Sequence, residues 1–255
     1  MKTNKQKLFL LGGYDLEMLT IKHMLEGKDD YIIMDKHLQW GNARLSAYQN
    51  ELLQLVDCDI YGIELQEDSP LPPNYHRIDH HNDWAGKPSS LEQVADVLGA
   101  ELNHYQQLVA ANYKGYIPAM AALGASKEEM DDIRRKDRAA QGVTKEDEAL
   151  AEKSIAESLH IYKGVTVVKA FTSRFSTICD RLYPYQRLLI YTDAEWMFYG
   201  EGTAEIVKLL VNDISQKKVF HGGGDSGYIG AVQNVFDKAE IGQFVNKIIK
   251  KYEHI

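Results

Sequence analysis

Short apolar runs alternate with amphipathic stretches over the first ninety residues of the chain. Four runs have the length and composition of buried strands: residues 7–11, 31–34, 59–65 and 75–78. Helical spacing occupies two of the intervals between them, residues 16–25 and 43–56. Strands that alternate with helices predict a parallel, doubly wound sheet, so we expect an α/β fold.

The pattern changes near residue 89. Helical spacing dominates residues 89–159, where Ser89 and Ser126 each resemble the first residue of a capping box. A second α/β pattern follows, with strands predicted at 165–171, 187–191 and 196–199 and helices at 205–214 and 241–252. Residues 218–220 lead into the segment His221-Gly222-Gly223-Gly224. We place a domain boundary near residue 162. This gives an N-terminal domain, residues 1–162, that includes the helical segment as a connector, and a smaller α/β domain, residues 163–255.

The composition is that of an ordinary globular protein, with 44% hydrophobic and 26% charged residues in a chain of 255. The formal net charge of −8 disfavours binding to long duplex nucleic acid, because phosphate contacts need clustered cations. A small phosphorylated ligand, held by a metal ion and a few local groups, is compatible with this charge.

The two cysteines, Cys58 and Cys179, lie far apart and form no CxxC pair, which is typical of inert thiols in a reducing compartment. The first apolar run is shorter than the ~7–15 residues of a signal-peptide core. No segment approaches the ~20 apolar residues of a membrane span. We therefore expect a cytoplasmic protein without a membrane partner. Its oligomeric state stays open, with a homodimer as one alternative.

Acidic residues follow the ends of three predicted strands. Asp15 and Glu17 follow the first strand, Asp35 ends the second, and Asp79 ends the fourth, with His80 and His81 directly after it. In a doubly wound fold, ligands bind outside the carboxyl ends of the strands. The acids therefore predict a ligand site at one edge of the sheet. The alternative is that they cap helices and nothing more.

The donor types at this edge indicate a divalent metal ion. Carboxylate oxygens and imidazole nitrogens suit Mn²⁺, Mg²⁺ or Zn²⁺. No cysteine lies near these residues in the sequence, which argues against a structural zinc site. A carboxylate-rich site can hold two metal ions ~3.5–4 Å apart, which activate a water and neutralise phosphate oxygens.

The segment from Arg77 to Asn82 resembles the motif that names the DHH phosphoesterase superfamily, a β-strand that runs into Asp-His-His. That superfamily includes single-strand exonucleases, oligoribonucleotide and cyclic-dinucleotide phosphodiesterases, and inorganic pyrophosphatases. The resemblance implies a pair of metal ions, usually manganese, between a DHH domain and a C-terminal substrate-binding domain. It further implies that His80 binds metal, that Asp79 binds metal or orients a ligand, and that His81 contacts the substrate phosphate. Asp79 and His81 are the implied catalytic residues.

Two other motifs of the superfamily are matched near the N-terminus. Asp15 and Glu17 preserve the two acids of the first motif, although Gly12 and Gly13 occupy the turn where a histidine normally precedes them. Asp35 matches the lone acid of the second motif. The implied metal ligands are Asp15, Glu17, Asp35, Asp79 and His80.

The fourth motif departs from the pattern of the superfamily, because Asn112 and Tyr113 stand where an acid is expected. Each carboxylate in a two-metal site offsets part of the repulsion between two dications. We therefore expect one metal ion to bind well and a second to bind weakly. Two tightly bound ions would imply a further acid, with Asp83 and Asp137 as the candidates.

The segment from His221 to Ser226 resembles the glycine-rich loop of the DHH-associated C-terminal domain, which contacts the substrate. Glycines allow backbone N–H groups to approach an anion closely. Here Asp225 stands in the place of the usual histidine, and His221 precedes the glycines. The implied substrate-binding residues are His81, Arg174, His221, Gly222, Gly223, Gly224, Asp225 and Ser226. The alternatives are a tight connection for the glycines and surface ion pairs for Arg174.

Two functional hypotheses follow. The first is a metal-dependent phosphoesterase, a hydrolase that uses one or two Mn²⁺ or Mg²⁺ ions on a small phosphorylated molecule or a short oligonucleotide. The second is a DHH-fold protein with weakened catalysis that acts as a ligand-binding or regulatory module, as the missing histidine and acid suggest. Trp40, which closely follows Asp35, either stacks on a base or packs in the ordinary way.

Overall fold

The computed structural model describes residues 6–53, 58–224 and 227–252. The chain divides into two compact units, residues 1–142 and 143–255. The first unit contains a four-stranded parallel sheet formed by β1 (Gln6–Leu11), β2 (Tyr31–Asp35), β3 (Cys58–Ile63) and β4 (Tyr75–Ile78), in the order β2-β1-β3-β4. The predicted parallel sheet is confirmed, and the carboxyl ends of β1, β3 and β4 are in register at one edge.

Both faces of this sheet are covered. The helices of the unit are α1 (Leu16–Leu25), α2 (Gln49–Leu52), α3 (Ser90–Leu98), α4 (His104–Ala122) and α5 (Lys127–Ala140). Phe9 and Leu11 of β1 pack in one core cluster with residues of α1, α3, α4 and α5, whereas Leu8 and Leu10 pack in another with Leu45. Alternate side chains of β1 thus pack in two different cores, which explains why residues 8–11 are all apolar.

The helix predicted over residues 43–56 is wrong in extent. The structure has a 3₁₀ turn at Leu45–Tyr48 followed by the short helix α2, and residues 54–57 lie outside the described part. Tyr48 is fully buried, and its hydroxyl donates to the carbonyl of Leu11 at 2.6 Å. This hydrogen bond holds the 3₁₀ turn against the end of β1. The contact with the sheet therefore determines the local structure here, and the helical spacing of the sequence does not.

Helix α4 lies within the predicted helical segment, but its backbone breaks at Gly115 and Tyr116. Gly115 has φ −166° and ψ 19°, and Tyr116 has φ 62° and ψ −149°. The capping boxes at Ser89 and Ser126 are both present, at the starts of α3 and α5. The break in α4 places Asn112 and Tyr113 on the segment before it, and α5 packs against α4.

The second unit contains a six-stranded mixed sheet in the order β5-β6-β7-β8-β10-β9, in which only the pair β6 and β7 is parallel. Its strands are β5 (His160–Tyr162), β6 (Val165–Lys169), β7 (Arg187–Tyr191), β8 (Trp196–Gly200), β9 (Val219–Gly222) and β10 (Tyr228–Ala231). Its helices are α6 (Lys145–Ser158), α7 (Ser176–Leu182), α8 (Thr203–Leu209), α9 (Val211–Ser215) and α10 (Lys238–Lys251). The helix predicted over 205–214 is therefore two helices, because the backbone departs from helical geometry at the buried Leu210.

Helix α6 packs against β6 and α7, so the division between the units falls before this helix. The sequence pattern places the boundary near residue 162 instead. The functional division into a metal-binding and a substrate-binding domain stays a prediction. Within the described ranges, no helix has the length and apolar character needed to cross a membrane.

Candidate metal centre

The carboxyl ends of β1, β3 and β4 bring three polar segments together: residues 12–17, Glu64 and residues 79–81. Glu64 directly follows β3 with φ 53°, and its N–H donates to the carbonyl of Ile78 at 2.8 Å. Only 5% of Glu64 is exposed. The sequence pattern extends the third strand to Leu65 and so misses this acid. The sequence does contain a signal for Glu64, because this residue, like Asp79, is an acid at the end of an apolar run.

His80 lies between two buried carboxylates. Its Nε2 is 3.1 Å from Oε2 of Glu17 and 3.2 Å from Oε1 of Glu64. Burial lowers the pKa of His80, but the hydrogen bonds and charges of these two carboxylates outweigh it and raise that pKa to about 10. In the metal-free protein His80 is therefore an imidazolium that partly neutralises the two acids. A metal ion that binds here has to displace the proton.

The N-terminus of α3 supports the same two carboxylates. The N–H of Leu91 donates to Oε1 of Glu17 at 2.9 Å, and the hydroxyl of Ser90 donates to Oε1 of Glu64 at 2.7 Å. Burial nevertheless raises the pKa of Glu17, against the lowering effect of its hydrogen bonds. The first-turn N–H groups of a helix lack partners within the helix and favour negative charge. Helix α3 thus fixes both acids in orientation.

Asp15 is the N-cap residue of α1, since its side chain accepts from the N–H of Met18 at 2.9 Å. The carboxyl group is also almost completely buried, with 1% exposure. Burial first, and then the negative charge of Glu64, raise the pKa of Asp15 to about 8. An exposed cap would not be perturbed in this way, so the cap interpretation alone does not account for Asp15.

Asp79 holds the half-exposed His81. Oδ1 of Asp79 accepts from the backbone N–H of His81 at 2.9 Å and lies 3.2 Å from its Nδ1. Burial acts to raise the pKa of Asp79, but the hydrogen bonds from His81 keep it below its usual value. The imidazole rings of His80 and His81 have centroids 4.3 Å apart. Asp79 therefore orients the second histidine beside the first.

Three side chains in the described part of the chain could bind one metal ion together. Glu64, His80 and His81 each offer one donor atom, and these atoms lie within 4.8 Å of one another. Oε2 of Glu64 is buried and has no hydrogen-bond partner. A buried carboxylate oxygen without a partner is costly unless something neutralises it. A carboxylate with two imidazoles is a donor set that suits Mn²⁺ or Zn²⁺ and accepts Mg²⁺ less readily, so the residues present fit a divalent ion.

No family model matches the sequence, and no curated protein matches it. Among solved structures, an exopolyphosphatase-related protein from Bacteroides fragilis matches with 12% identity and a TM-score of 0.50, over 97% of this chain and 92% of that one. With the Asp-His-His segment at the end of β4, this decides the architecture. The chain has the DHH fold.

Two further structures resemble the chain at lower TM-scores. A pGpG-specific phosphodiesterase, PggH from Vibrio cholerae, matches with 12% identity and a TM-score of 0.47, over 98% of this chain and 99% of that one. The DHH domain of a member of the s1p family of ribosomal proteins matches with 11% identity and a TM-score of 0.45, over 97% and 87%. At such identities the likeness concerns the fold, and the roles of residues have to be argued from their geometry.

Asp35, the acid matched to the second DHH motif, is held elsewhere. Its Oδ2 lies 2.9 Å from Nζ of Lys22, and its Oδ1 accepts from the N–H of His37 at 2.8 Å. Burial acts to raise the pKa of Asp35, yet these contacts outweigh it and hold that pKa below its usual value. Asp35 is thus neutralised by its own neighbours, on a strand at the sheet edge remote from β4. Its role as a ligand stays a prediction, whereas Glu64 directly follows β3, the strand between β1 and β4.

The position matched to the fourth DHH motif is occupied by a buried amide. Asn112 is 6% exposed, and its Oδ1 accepts from Nη1 of Arg134 at 3.0 Å. Asp137 is also buried, and it accepts from Arg134, Tyr113 and Gln141. Asp83, the other candidate for a further acid, lies exposed in a short 3₁₀ turn. Neither acid belongs to the group of donors that could bind metal.

The glycine-rich segment follows β9 in the second unit. His221 and Gly222 end the strand, and Gly223 and Gly224 have φ 76° and 66°. A Cβ on Gly223 would lie 2.8 Å from Cα of Gly227. The turn geometry alone thus requires glycine at this point. Asp225 and Ser226 lie outside the described residues.

Arg174 precedes α7 in the second unit. Its backbone N–H donates to the hydroxyl of Thr172 at 3.1 Å, and its charge contributes to the lowered pKa of Asp147, after the larger effects of hydrogen bonds from Thr144. This proximity is in keeping with the ion-pair alternative for Arg174, and its contact with a substrate stays a prediction.

Proposed function

We propose that the protein is a metal-dependent phosphoesterase that hydrolyses a small phosphorylated molecule or a short oligonucleotide. One observation carries the proposal, the cluster of Glu64, His80 and His81, in which one carboxylate oxygen of Glu64 is buried without a hydrogen-bond partner. Such a buried acid favours a cation, and imidazoles beside it supply further donors.

The residues of the cluster have distinct roles in this proposal. Glu64, His80 and His81 would hold the ion, and Asp79 orients the ring of His81. Oε2 of Glu17 lies 3.1 Å from Nε2 of His80, so Glu17 would become a further ligand once the ion displaces the proton from that nitrogen. A divalent ion bound there would supply a Lewis acid for the phosphate and lower the pKa of a water molecule. The side chain of His81 is 41% exposed, which supports its proposed catalytic contact with the substrate phosphate.

The charges of the site favour one tightly bound Mn²⁺ or Mg²⁺ ion and a second that binds weakly. Asp15 and Glu17 offer further carboxylates, but both are strongly desolvated. Asn112 stands at the position where the fourth motif has an acid. It is neutral and accepts a hydrogen bond from Arg134, so this position adds no negative charge. The phosphate group of a substrate would supply the missing negative charge.

Trp40 favours a nucleotide over an inorganic phosphate chain as the substrate. Its side chain is 44% exposed, although its ring packs on Gly13, where a Cβ would lie 3.1 Å away, and meets the ring of His81 at a centroid distance of 5.3 Å. Ordinary packing would bury such a ring, whereas a partly exposed and fixed ring next to the cluster can stack on a base.

The direct experiment combines Mn²⁺ titration by calorimetry with a screen of phosphodiester and phosphomonoester substrates. We expect tight binding of about one Mn²⁺ per chain, because the described residues contain one such group of three donors, and Mn²⁺-dependent release of a phosphate or nucleotide product. Protein that binds no Mn²⁺ would refute the metal centre. Protein that binds Mn²⁺ and a nucleotide but turns over none of the substrates would support the regulatory alternative, which the substitution of an acid by Asn112 motivates.

A further inference from the structure

The segment that follows the Asp-His-His motif, residues 82–88, begins with two consecutive turns. The N–H of Trp84 donates to the carbonyl of His81 at 2.9 Å, and the N–H of Lys87 donates to the carbonyl of Trp84 at 2.9 Å. Turns closed between residues three apart advance the chain by only about 2 Å per residue. Lys87 therefore lies near His81 in space as well as in sequence.

The end of this segment returns to the strand end that carries the motif. Helix α3 supplies Gln93, and its Nε2 donates to the carbonyl of Asp79 at 3.1 Å and to that of Pro88 at 2.8 Å. One nitrogen thus joins the first residue of the Asp-His-His motif to the residue that follows Lys87. The segment is fastened at both ends, and Lys87 is held beside the candidate metal centre.

Lys87 is fixed at its backbone and at its ammonium group. Its carbonyl accepts from Nζ of Lys114 on α4, which also donates to the carbonyl of Ala85 at 2.8 Å. Its own Nζ lies 4.2 Å from the centroid of the Trp84 ring. A cation–π contact of this kind attracts the ammonium and leaves its charge in place. A positive charge is therefore held at a defined position in a half-buried side chain.

The other cations around this segment have acceptors of their own. Arg77 lies over the same Trp84 ring, at 4.8 Å, and donates to both carboxylate oxygens of Glu67. Lys114 donates to two backbone carbonyls. Within the part of the chain that the structure describes, no carboxylate pairs with Lys87. In a chain with a net charge of −8, a cation without an acid beside a metal centre favours an anionic ligand.

We propose that Lys87 binds a phosphate group of the substrate beside the candidate metal centre. The ammonium offers three donors to phosphate oxygens, and the Trp84 ring holds it without consuming any of its charge. The proposal rests on the proposed phosphoesterase function, because that function is what brings a phosphate group to this edge of the sheet.

Substitutions of Lys87 provide the test. Lys87→Met removes the ammonium and keeps an unbranched side chain, whereas Lys87→Arg keeps the positive charge. With Mn²⁺ present, we expect Lys87→Met to weaken binding of a nucleoside monophosphate roughly 10- to 30-fold, as for lost hydrogen bonds between charged groups, and Lys87→Arg to restore most of the affinity. The matching nucleoside, which carries no phosphate, should bind equally to all three proteins.

The matched control is a lysine of the second unit in a similar contact. Nζ of Lys153 lies 5.3 Å from the centroid of the Phe171 ring. Lys153→Met therefore loses an ammonium from an aromatic ring in the same way, and it should bind the nucleoside monophosphate as the wild type does. A decrease of the same size in both variants would reflect the overall charge of the protein and would overturn the proposal.

Mn²⁺ binding in the absence of a nucleotide gives a readout of opposite sign. A cation repels a dication, so Lys87→Met should leave Mn²⁺ affinity unchanged or increase it. Unchanged affinity of Lys87→Met for the nucleoside monophosphate would overturn the role of Lys87, as would a parallel loss of Mn²⁺ affinity or of the fold, which a structural role predicts. Wild-type protein that binds Mn²⁺ but no nucleoside monophosphate would also overturn it. Wild-type protein that binds no Mn²⁺ would overturn the proposed function itself.

Discussion

The charged groups of the two units are satisfied in different ways. In the second unit, Arg181 pairs with Glu148 at 2.6 Å, and Asp193 pairs with both Lys169 and Lys238. Both units also contain carboxylate oxygens that are buried without a hydrogen-bond partner, on Glu51 and Glu64 in the first unit and on Glu195 in the second. Of these three acids, Glu64 alone belongs to a group of donors in the described residues that could hold a metal ion, with His80 and His81. Pairs at a surface add little to stability, but they leave no demand for a ligand. A buried acid with an unpartnered oxygen and two imidazoles beside it creates such a demand, so the first unit is where a cation is expected.

The glycine-rich segment and the Asp-His-His segment differ in whether local backbone geometry explains their residues. The glycines after β9 have a structural explanation, since the turn needs positive φ at Gly223 and Gly224 and has no room for a Cβ at Gly223. No comparable backbone requirement explains a histidine at position 80, buried between two carboxylates. The Asp-His-His segment is therefore stronger evidence for a site than the glycine run is.

Replacement of His80 should have the largest effect. His80→Ala removes a ligand and leaves Glu17 and Glu64 without their shared imidazolium, so we expect Mn²⁺ binding and any hydrolysis to be lost, with some loss of stability. Calorimetric titration and circular dichroism would measure binding and fold. His104→Ala is the matched control, because His104 is an exposed histidine paired with Glu129 at 2.9 Å. A folded His80→Ala variant that binds Mn²⁺ as the wild type does would refute the site.

Replacement of Glu64 tests which acid completes the site. Glu64→Gln keeps the shape of the side chain and removes its charge, so Mn²⁺ affinity should fall by at least ~10- to 100-fold, the range for groups that support a metal. Asp35→Asn is the matched substitution at the acid that the DHH motif indicates, and it should leave Mn²⁺ affinity unchanged because Lys22 already neutralises Asp35. The opposite ranking of the two variants would restore Asp35 as the ligand.

The contrast between Glu64 and Asp35 shows how far the sequence predicts the site. Periodicity and motif located the strands, the parallel sheet and the Asp-His-His segment, because these depend on local composition. Glu64 was not predictable from the motif spacing, since it ends the strand between β1 and β4 and the order β2-β1-β3-β4 is a property of the tertiary fold. The network of Tyr113, Arg134 and Asp137 depends in the same way on contacts between α4 and α5.

Replacement of Trp40 should affect substrate binding and not metal binding. Stacking on an aromatic ring contributes ~1–3 kcal/mol per base, so Trp40→Ala should weaken binding of a nucleoside monophosphate roughly 5- to 150-fold. Trp40→Phe should restore part of the affinity, and ribose 5-phosphate, which has no base, should bind all three proteins equally. The difference in fluorescence between the wild type and Trp40→Phe offers a direct readout, since Trp84 and Trp196 are present in both proteins. If Trp40→Ala binds the nucleotide as tightly as the wild type does, ordinary packing is the better interpretation of this ring.

The smallest effect is expected in the second unit, at His221. The glycine turn there is explained by its own geometry, so a variant such as Gly223→Val would disturb the turn and could not report on the substrate. His221 is exposed on β9, and His221→Ala should leave the fold intact. If its imidazole donates one hydrogen bond to the substrate phosphate, substrate affinity should decrease roughly 3- to 10-fold with Mn²⁺ affinity unchanged. Unchanged affinity for both would remove His221 from the site, and the predicted substrate-binding role of the second unit would then depend on Arg174 and the other residues of the glycine-rich segment.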